Sequence, residues 1–149
     1  MKTLLALLGV ALAMTASSDT TRILHPIDPV ESLSITCGCM FQGETGHESW
    51  IPWTYLMLDP NGKPPNARIN LGSGTVRLRP ARTISSPMYQ CVAGKSWVSR
   101  WLSETVGIEA KLRVLHPEEE VCWFDGTIIA SVGDRSESIS VRGACYCSE

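Results

Sequence analysis

Along most of this 149-residue chain the apolar positions recur every second residue, the period of a strand with one buried face. In LSITCGCMF, Leu33, Ile35, Cys37, Cys39 and Phe41 share one face, with Ser34, Thr36 and Gly38 on the other. The last segment repeats the pattern, Ile139, Val141, Gly143, Cys145 and Cys147 alternating with Ser138, Ser140, Arg142 and Tyr146. Between them TYLMLDPNGK ends in a turn at D-P-N-G, and NLGSGTVRLR reads as two short strands around G-S-G. FDGTIIASVGDRSESISVRG reads as a hairpin turning near Gly133-Asp134. This spacing predicts a mainly β domain, a small disulfide-stabilised sandwich or barrel. One segment, SWVSRWLSETVG, reads two ways. With Ser96 as cap, Trp97 and Trp101 one turn apart and Gly107 as stop, it makes a short helix around 96–106. The same tryptophans also share a side at period two, which makes it a strand.

The amino end is patterned differently. Lys2 precedes the apolar run LLALLGVALA and then small residues, the arrangement of an export signal cleaved somewhere between 13 and 18. The run is too short to span a bilayer, and no later stretch approaches the ~18 consecutive apolar residues of a membrane helix. Residues 1–18 therefore read as a signal peptide. Residues 19–31, with Pro26 and Pro29, read as a lead-in that lies against the domain or stays mobile, and 32–149 as a single β domain. Without the signal the chain carries twelve basic and fifteen acidic residues, a net charge of −3 that argues against a nucleic-acid partner.

All six cysteines, Cys37, Cys39, Cys91, Cys122, Cys145 and Cys147, fall in the exported part. An exported domain of this size supplements a limited core with covalent links, so disulfides are the first reading. Sequence alone leaves fifteen pairings open. Shared strand faces favour Cys37 and Cys39 each joined to Cys145 or Cys147, which leaves Cys91 with Cys122. Two other chemistries fit C-x-C pairs: a tetrahedral zinc site, and a strained Cys37–Cys39 bond that exchanges with other thiols. Zinc ligands are usually spaced more widely, and no C-x-x-C opens a helix, so neither a metal nor a cofactor is expected.

Candidate chemistry is sparse. Of Trp50, Trp53, Trp97, Trp101 and Trp123, at least three are expected in the core, Trp123 among them beside Cys122. Trp50 and Trp53 flank the polar loop QGETGHES and, with His47, form the candidate binding face. His25, His47 and His116 lack a nucleophile or ligand at a recognisable spacing, and H-E-S-W-I has no second His at i+4. Glu118, Glu119 and Glu120 read as a solvated turn. Arg77, Arg79 and Arg82 read as the wet face of a strand that is also able to present an anion site. The expected function is a periplasmic or secreted, non-enzymatic binding module for a protein or glycan partner. The alternative is an envelope hydrolase assembled from dispersed residues such as His47, Glu44 and Glu48.

The opening C-G-C-M-F, the hairpin I-N-x-x-x-G-x-V-R-L over 69–78 and the closing S-V-R-G-A-C-Y-C together resemble a group of small exported bacterial proteins of unknown function. Those proteins open with C-G-C and finish with C-x-C. The resemblance implies a periplasmic or secreted bacterial β protein and supplies no activity.

Overall fold

A computed structural model describes residues 22–28, 37–43, 54–83 and 91–147. Its strands are β1 (Cys37–Gly43), β2 (Thr54–Asp59), β3 (Asn66–Asn70), β4 (Thr75–Pro80), β5 (Ser96–Leu102), β6 (Val106–Pro117), β7 (Val121–Val132) and β8 (Arg135–Cys147). Each pairs with the next, and β8 returns antiparallel to β1, so the sheet closes into an eight-stranded up-and-down barrel. Of the two architectures the spacing allows, the barrel is the one formed.

Period two decides what faces the interior. On β6, Val106, Ile108, Ala110, Leu112 and Val114 are buried, while Lys111 and Arg113 between them are exposed. Eight strands enclose a lumen just wide enough to be filled by side chains, and here Trp101, Phe41 and Phe124 are the largest wholly buried ones. Phe41 and Phe124 meet edge to face at 6.2 Å, the arrangement their ring quadrupoles favour. Trp101 donates its indole N–H to Ser99 Oγ at 2.9 Å, which satisfies both polar groups of β5 inside the barrel. Apolar inside and charged outside is the reverse of a membrane-spanning barrel, whose lipid-facing wall is apolar. Among the described residues no helix is long and apolar enough to cross a membrane.

The helical alternative for 96–106 does not form. Ser96–Leu102 alternates exposed and buried at every step, and seven residues pair in unbroken register with β6. As a strand it buries Trp97, Ser99 and Trp101 together, whereas a helix would leave β4 and β6 without the strand between them. Ser103 then turns the chain by donating its N–H to the Val106 carbonyl at 2.8 Å.

Two glycines make the curvature possible. A Cβ on Gly143 would stand 2.0 Å from the Met40 carbonyl oxygen, and one on Gly126 would stand 2.1 Å from that of Lys111. Glycine inside a strand marks such close backbone approaches.

The cysteines close one end. Cys39 and Cys145 are opposite residues of β1 and β8 and are bonded, with Cα atoms 3.9 Å apart. Cys122 stands opposite Cys145 on the far side, so three buried cysteines lie in one row across β1, β8 and β7. Cys122 is bonded to Cys91, which draws the connection ahead of β5 over this rim. Cys37 is also disulfide-bonded and stands opposite Cys147 in the register. Because Cys39 is bonded to Cys145, the Cys37–Cys39 link needed for the thiol-exchange reading is not made. Intramolecular disulfides of this kind accord with an oxidising destination outside the cytoplasm.

Non-reducing peptide mapping of the exported protein is expected to return Cys39–Cys145, Cys91–Cys122 and Cys37–Cys147, with no cysteine alkylated before reduction. A fragment joining Cys37 to Cys39 would contradict the register. Replacing Gly126 by Ala is expected to destabilise the fold by ~2 kcal/mol or more, because its new methyl group meets backbone rather than a movable side chain. Urea denaturation measures this, and an unchanged midpoint would show that β6 and β7 approach less closely at this point.

Candidate functional site

Among the described residues, chain crosses both ends of the lumen, the disulfides standing at one of them. Opposite the disulfides, residues 22–28 of the lead-in cross the other end of the barrel. Ile23 and Leu24 donate their N–H groups to the Glu137 carboxylate on β8 at 2.6 and 2.8 Å. His25 N–H reaches the Asn70 carbonyl of β3 at 2.8 Å, and Ile27 N–H reaches Thr54 of β2 at 2.7 Å. Asn70 completes the strap by donating its side-chain amide to the Pro26 carbonyl at 2.7 Å. Ile23 and Leu24 thereby join the main core, and Ile27 packs on Met57 and Met40 outside the β1–β2 wall.

Of the residues expected to form a binding face, Trp50, Trp53 and His47 lie outside the described residues, as do Glu44 and Glu48. Trp97 and Trp101 are core, as expected. Trp123 is not: it sits on the outer face of β7, half-buried, with its ring stacked on His116 at 6.0 Å. Period two requires this, since its neighbours Cys122 and Phe124 both point inward. Truncating it therefore leaves no interior cavity. His116 Nε2 lies 3.3 Å from Glu118 Oε1, and both side chains are more than half exposed. The three glutamates at 118–120 form the expected solvated turn between β6 and β7. Among the described residues no three of His, Cys, Asp and Glu converge on a common point.

The outer wall carries two kinds of charge arrangement. Over β5–β8 opposite signs face each other. Glu109 takes Lys111 at 2.9 Å and also pairs with Arg100, and Arg113 holds both oxygens of Asp125 at 2.8 and 3.1 Å. The Asp125 carboxyl is held below its ordinary range, chiefly by the Arg113 hydrogen bonds. Over β2–β4 the order breaks down. Arg68 of β3 stands directly opposite Arg77 of β4, and Arg79 follows on the same outward face, opposite Leu102 of β5. Lys63 joins them from the β2–β3 turn, and the four cations line an open groove of about 280 Å³. Arg77 and Arg79 are exposed and form no ion pair with any described residue.

The groove is not uniformly basic. Asp59, at the end of β2, lies on its lining beside Asn66, whose amide is 3.5 Å from Asp59 Oδ2 and 3.3 Å from the Pro64 carbonyl. Arg68 Nε reaches Asn66 Oδ1 at 3.4 Å. These contacts are at the long limit of hydrogen bonding. Guanidinium forks set in a groove can grip an oxyanion bidentately. Sequence reading picked out Arg77 and Arg79 as one wet face but missed Lys63, Asp59, Asn66 and Arg68. Counting outward from G-S-G would have set Arg68 across from Leu78; the loop takes in Leu71 as well, with Asn70 paired to Thr75, and this one-residue difference brings Arg68 opposite Arg77.

No family model, curated protein or solved structure matches this chain.

The Arg113–Asp125 pair gives a pH-dependent check on the wall. A carboxyl lowered on folding adds stability above its ordinary range, and that contribution is lost as pH falls through the lowered pKa. Because the pair is largely exposed, Arg113→Ala is expected to lower stability only slightly near neutrality. The difference from the parent should vanish in acid. Chemical denaturation at several pH values tests this, and a difference that persists in strong acid would assign the effect to packing of the arginine stem.

Proposed function

We propose that this chain is an exported, non-enzymatic binding module that recognises an anionic partner on the outer wall of β2–β4, in the cell envelope or outside the cell. The reading is supported by where free space and unbalanced charge coincide. Large side chains such as Trp101, Phe41 and Phe124 occupy the lumen and chain crosses its ends, which favours recognition at the surface. One observation carries the choice of surface: Arg77 and Arg79, exposed on one outward face of β4, line an open groove and form no ion pair with any described residue. Over β5–β8 such cations are met by carboxylates. Two guanidinium forks without a carboxylate among the described residues suit a bound oxyanion. The chain as a whole is acidic, so the basic groove is local and disfavours non-specific capture of polyanions.

The test is the double variant Arg77→Ala, Arg79→Ala, measured against immobilised polyuronate, polyphosphate, sulfated polysaccharide and an acidic peptide. The parent is expected to bind at least one, with an affinity that falls as salt rises. The variant should lose about tenfold or more, with an unchanged melting temperature, since both side chains are exposed. A parent that binds none of the four, or a variant that binds as the parent does, would overturn the proposal.

A further inference from the structure

We infer that the disulfides Cys91–Cys122 and Cys39–Cys145 form one exchange unit. A small-molecule thiol that opens the first at the surface frees Cys122 to attack the second, which moves a covalent link from the β1–β8 seam to the β7–β8 hairpin.

The row of three sulfurs carries this. Cys122, Cys145 and Cys39 are successive cross-strand partners on β7, β8 and β1, and all three are wholly buried. Exchange proceeds by attack of a thiolate on one sulfur of a disulfide while the other sulfur leaves. Attacking, central and leaving sulfurs must fall close to a line. Three cysteines side by side across a sheet stand in that order, with Cys145 in the middle. The distances fit as well. The close and wide kinds of antiparallel pair alternate from one side of a strand to the other. Cys145 approaches Cys39 to 3.9 Å between Cα atoms, the close kind. It therefore makes the wide kind with Cys122, at about 5.5 Å, a separation that a disulfide bridges. Two bonds serving only to close the rim would need no such row.

Access sets the direction. Cys91 is half-buried and begins an exposed stretch over 92–95, so of the four sulfurs it is the one a reagent in solution reaches. The thiol attacks Cys91 Sγ, the Cys91–Cys122 bond breaks, and the electron pair leaves on Cys122 as thiolate. That thiolate attacks Cys145 Sγ, the Cys39–Cys145 bond breaks, and Cys39 receives the pair together with the proton given up by the reagent. One external thiol is consumed as a mixed disulfide on Cys91, and one protein thiol appears at Cys39. The number of disulfide bonds is unchanged. The bond lost spans 106 residues of sequence, whereas the bond gained joins the two strands of one hairpin and restrains the unfolded chain less. Cys37, also disulfide-bonded, lies two residues along β1 from the row and takes no part.

The experiment treats the oxidised mature chain with glutathione, quenches in acid, alkylates in denaturant at low pH and maps the peptides. Glutathione is expected on Cys91, with a Cys122–Cys145 peptide present and about a tenth or more of the alkyl label on Cys39. Cys91→Ser isolates the second step, since it leaves an odd thiol opposite the seam bond. That thiol should divide between Cys122 and Cys39 in a proportion independent of protein concentration. The glutathione arm needs no substitution and decides the matter if the variant does not fold. Label confined to Cys122 after glutathione has joined Cys91 would overturn the inference. So would a Cys39 thiol whose yield climbs with protein concentration, because the exchange would then run between molecules and not along the row.

Discussion

The closure of β1 onto β8 is the constraint on which the rest of the molecule depends. Seven residue pairs from Cys37↔Cys147 to Gly43↔Val141 join the two ends of the sheet; without them both strands would be edges with unpaired backbone groups. Closure is non-local, since Cys39 and Cys145 are 106 residues apart. The chain-entropy model assigns a bond across such a span about 5 kcal/mol. The bond also selects register. A one-residue slip would turn one cysteine outward and reverse every side chain of β1. Gly143, pressed against the Met40 carbonyl, permits the two backbones to approach at this seam.

From that seam the register runs round the wall as a single row. Ala144 faces Met40, Met40 faces Met57, Met57 faces Arg68 and Arg68 faces Arg77. The pairing that fixes the clasp therefore also fixes the two arginines against each other, three strands away. Asn61 adds a direct link, donating to Cys37 Sγ at 3.4 Å from the same turn that carries Lys63. The lead-in contributes from the other side, since Ile27 covers Met57, the strand neighbour of Arg68. Clasp and strap thus brace opposite ends of the short strands. This matters because β2–β4 span only five or six residues each, against twelve or thirteen for β6–β8.

Much of the architecture was legible because the wall is wet and the lumen dry, which imposes period two wherever a strand runs. The β3–β4 and β7–β8 hairpins, and a link from Cys39 to one of Cys145 and Cys147, followed from alternation and turn chemistry alone; the choice of Cys145 needed the register. Barrel against sandwich was not legible, since closure depends on twist and on glycine contacts with strands distant in sequence. At Ser96–Leu102 the Ser cap and Gly stop of a helix compete with the pull of β4 and β6, and pairing on both sides outweighs a weak local propensity. Trp123 was misplaced by size: a large ring next to a buried cysteine suggests the core, yet adjacent residues of a strand must face opposite ways. The groove was half legible. Arg77 and Arg79 stand out along one strand, whereas Arg68 and Asp59 acquire meaning only when the neighbouring strands are laid beside them.

A barrel whose inward side chains form one buried core has consequences for where recognition can evolve. Inward positions such as Phe41, Trp101 and Phe124 are coupled through close packing, so changing one to suit a ligand disturbs the others. Outward positions carry no such coupling. An arginine at 77 or 79 can be altered with an effect on stability of a few tenths of a kcal/mol. Short strands between tight turns suit this role, since they present alternate residues at fixed spacing while the long strands hold the core. Covalent closure and the buried core fix that spacing, so exposed cations such as Arg77 and Arg79 keep their positions on the wall without needing a partner to order them.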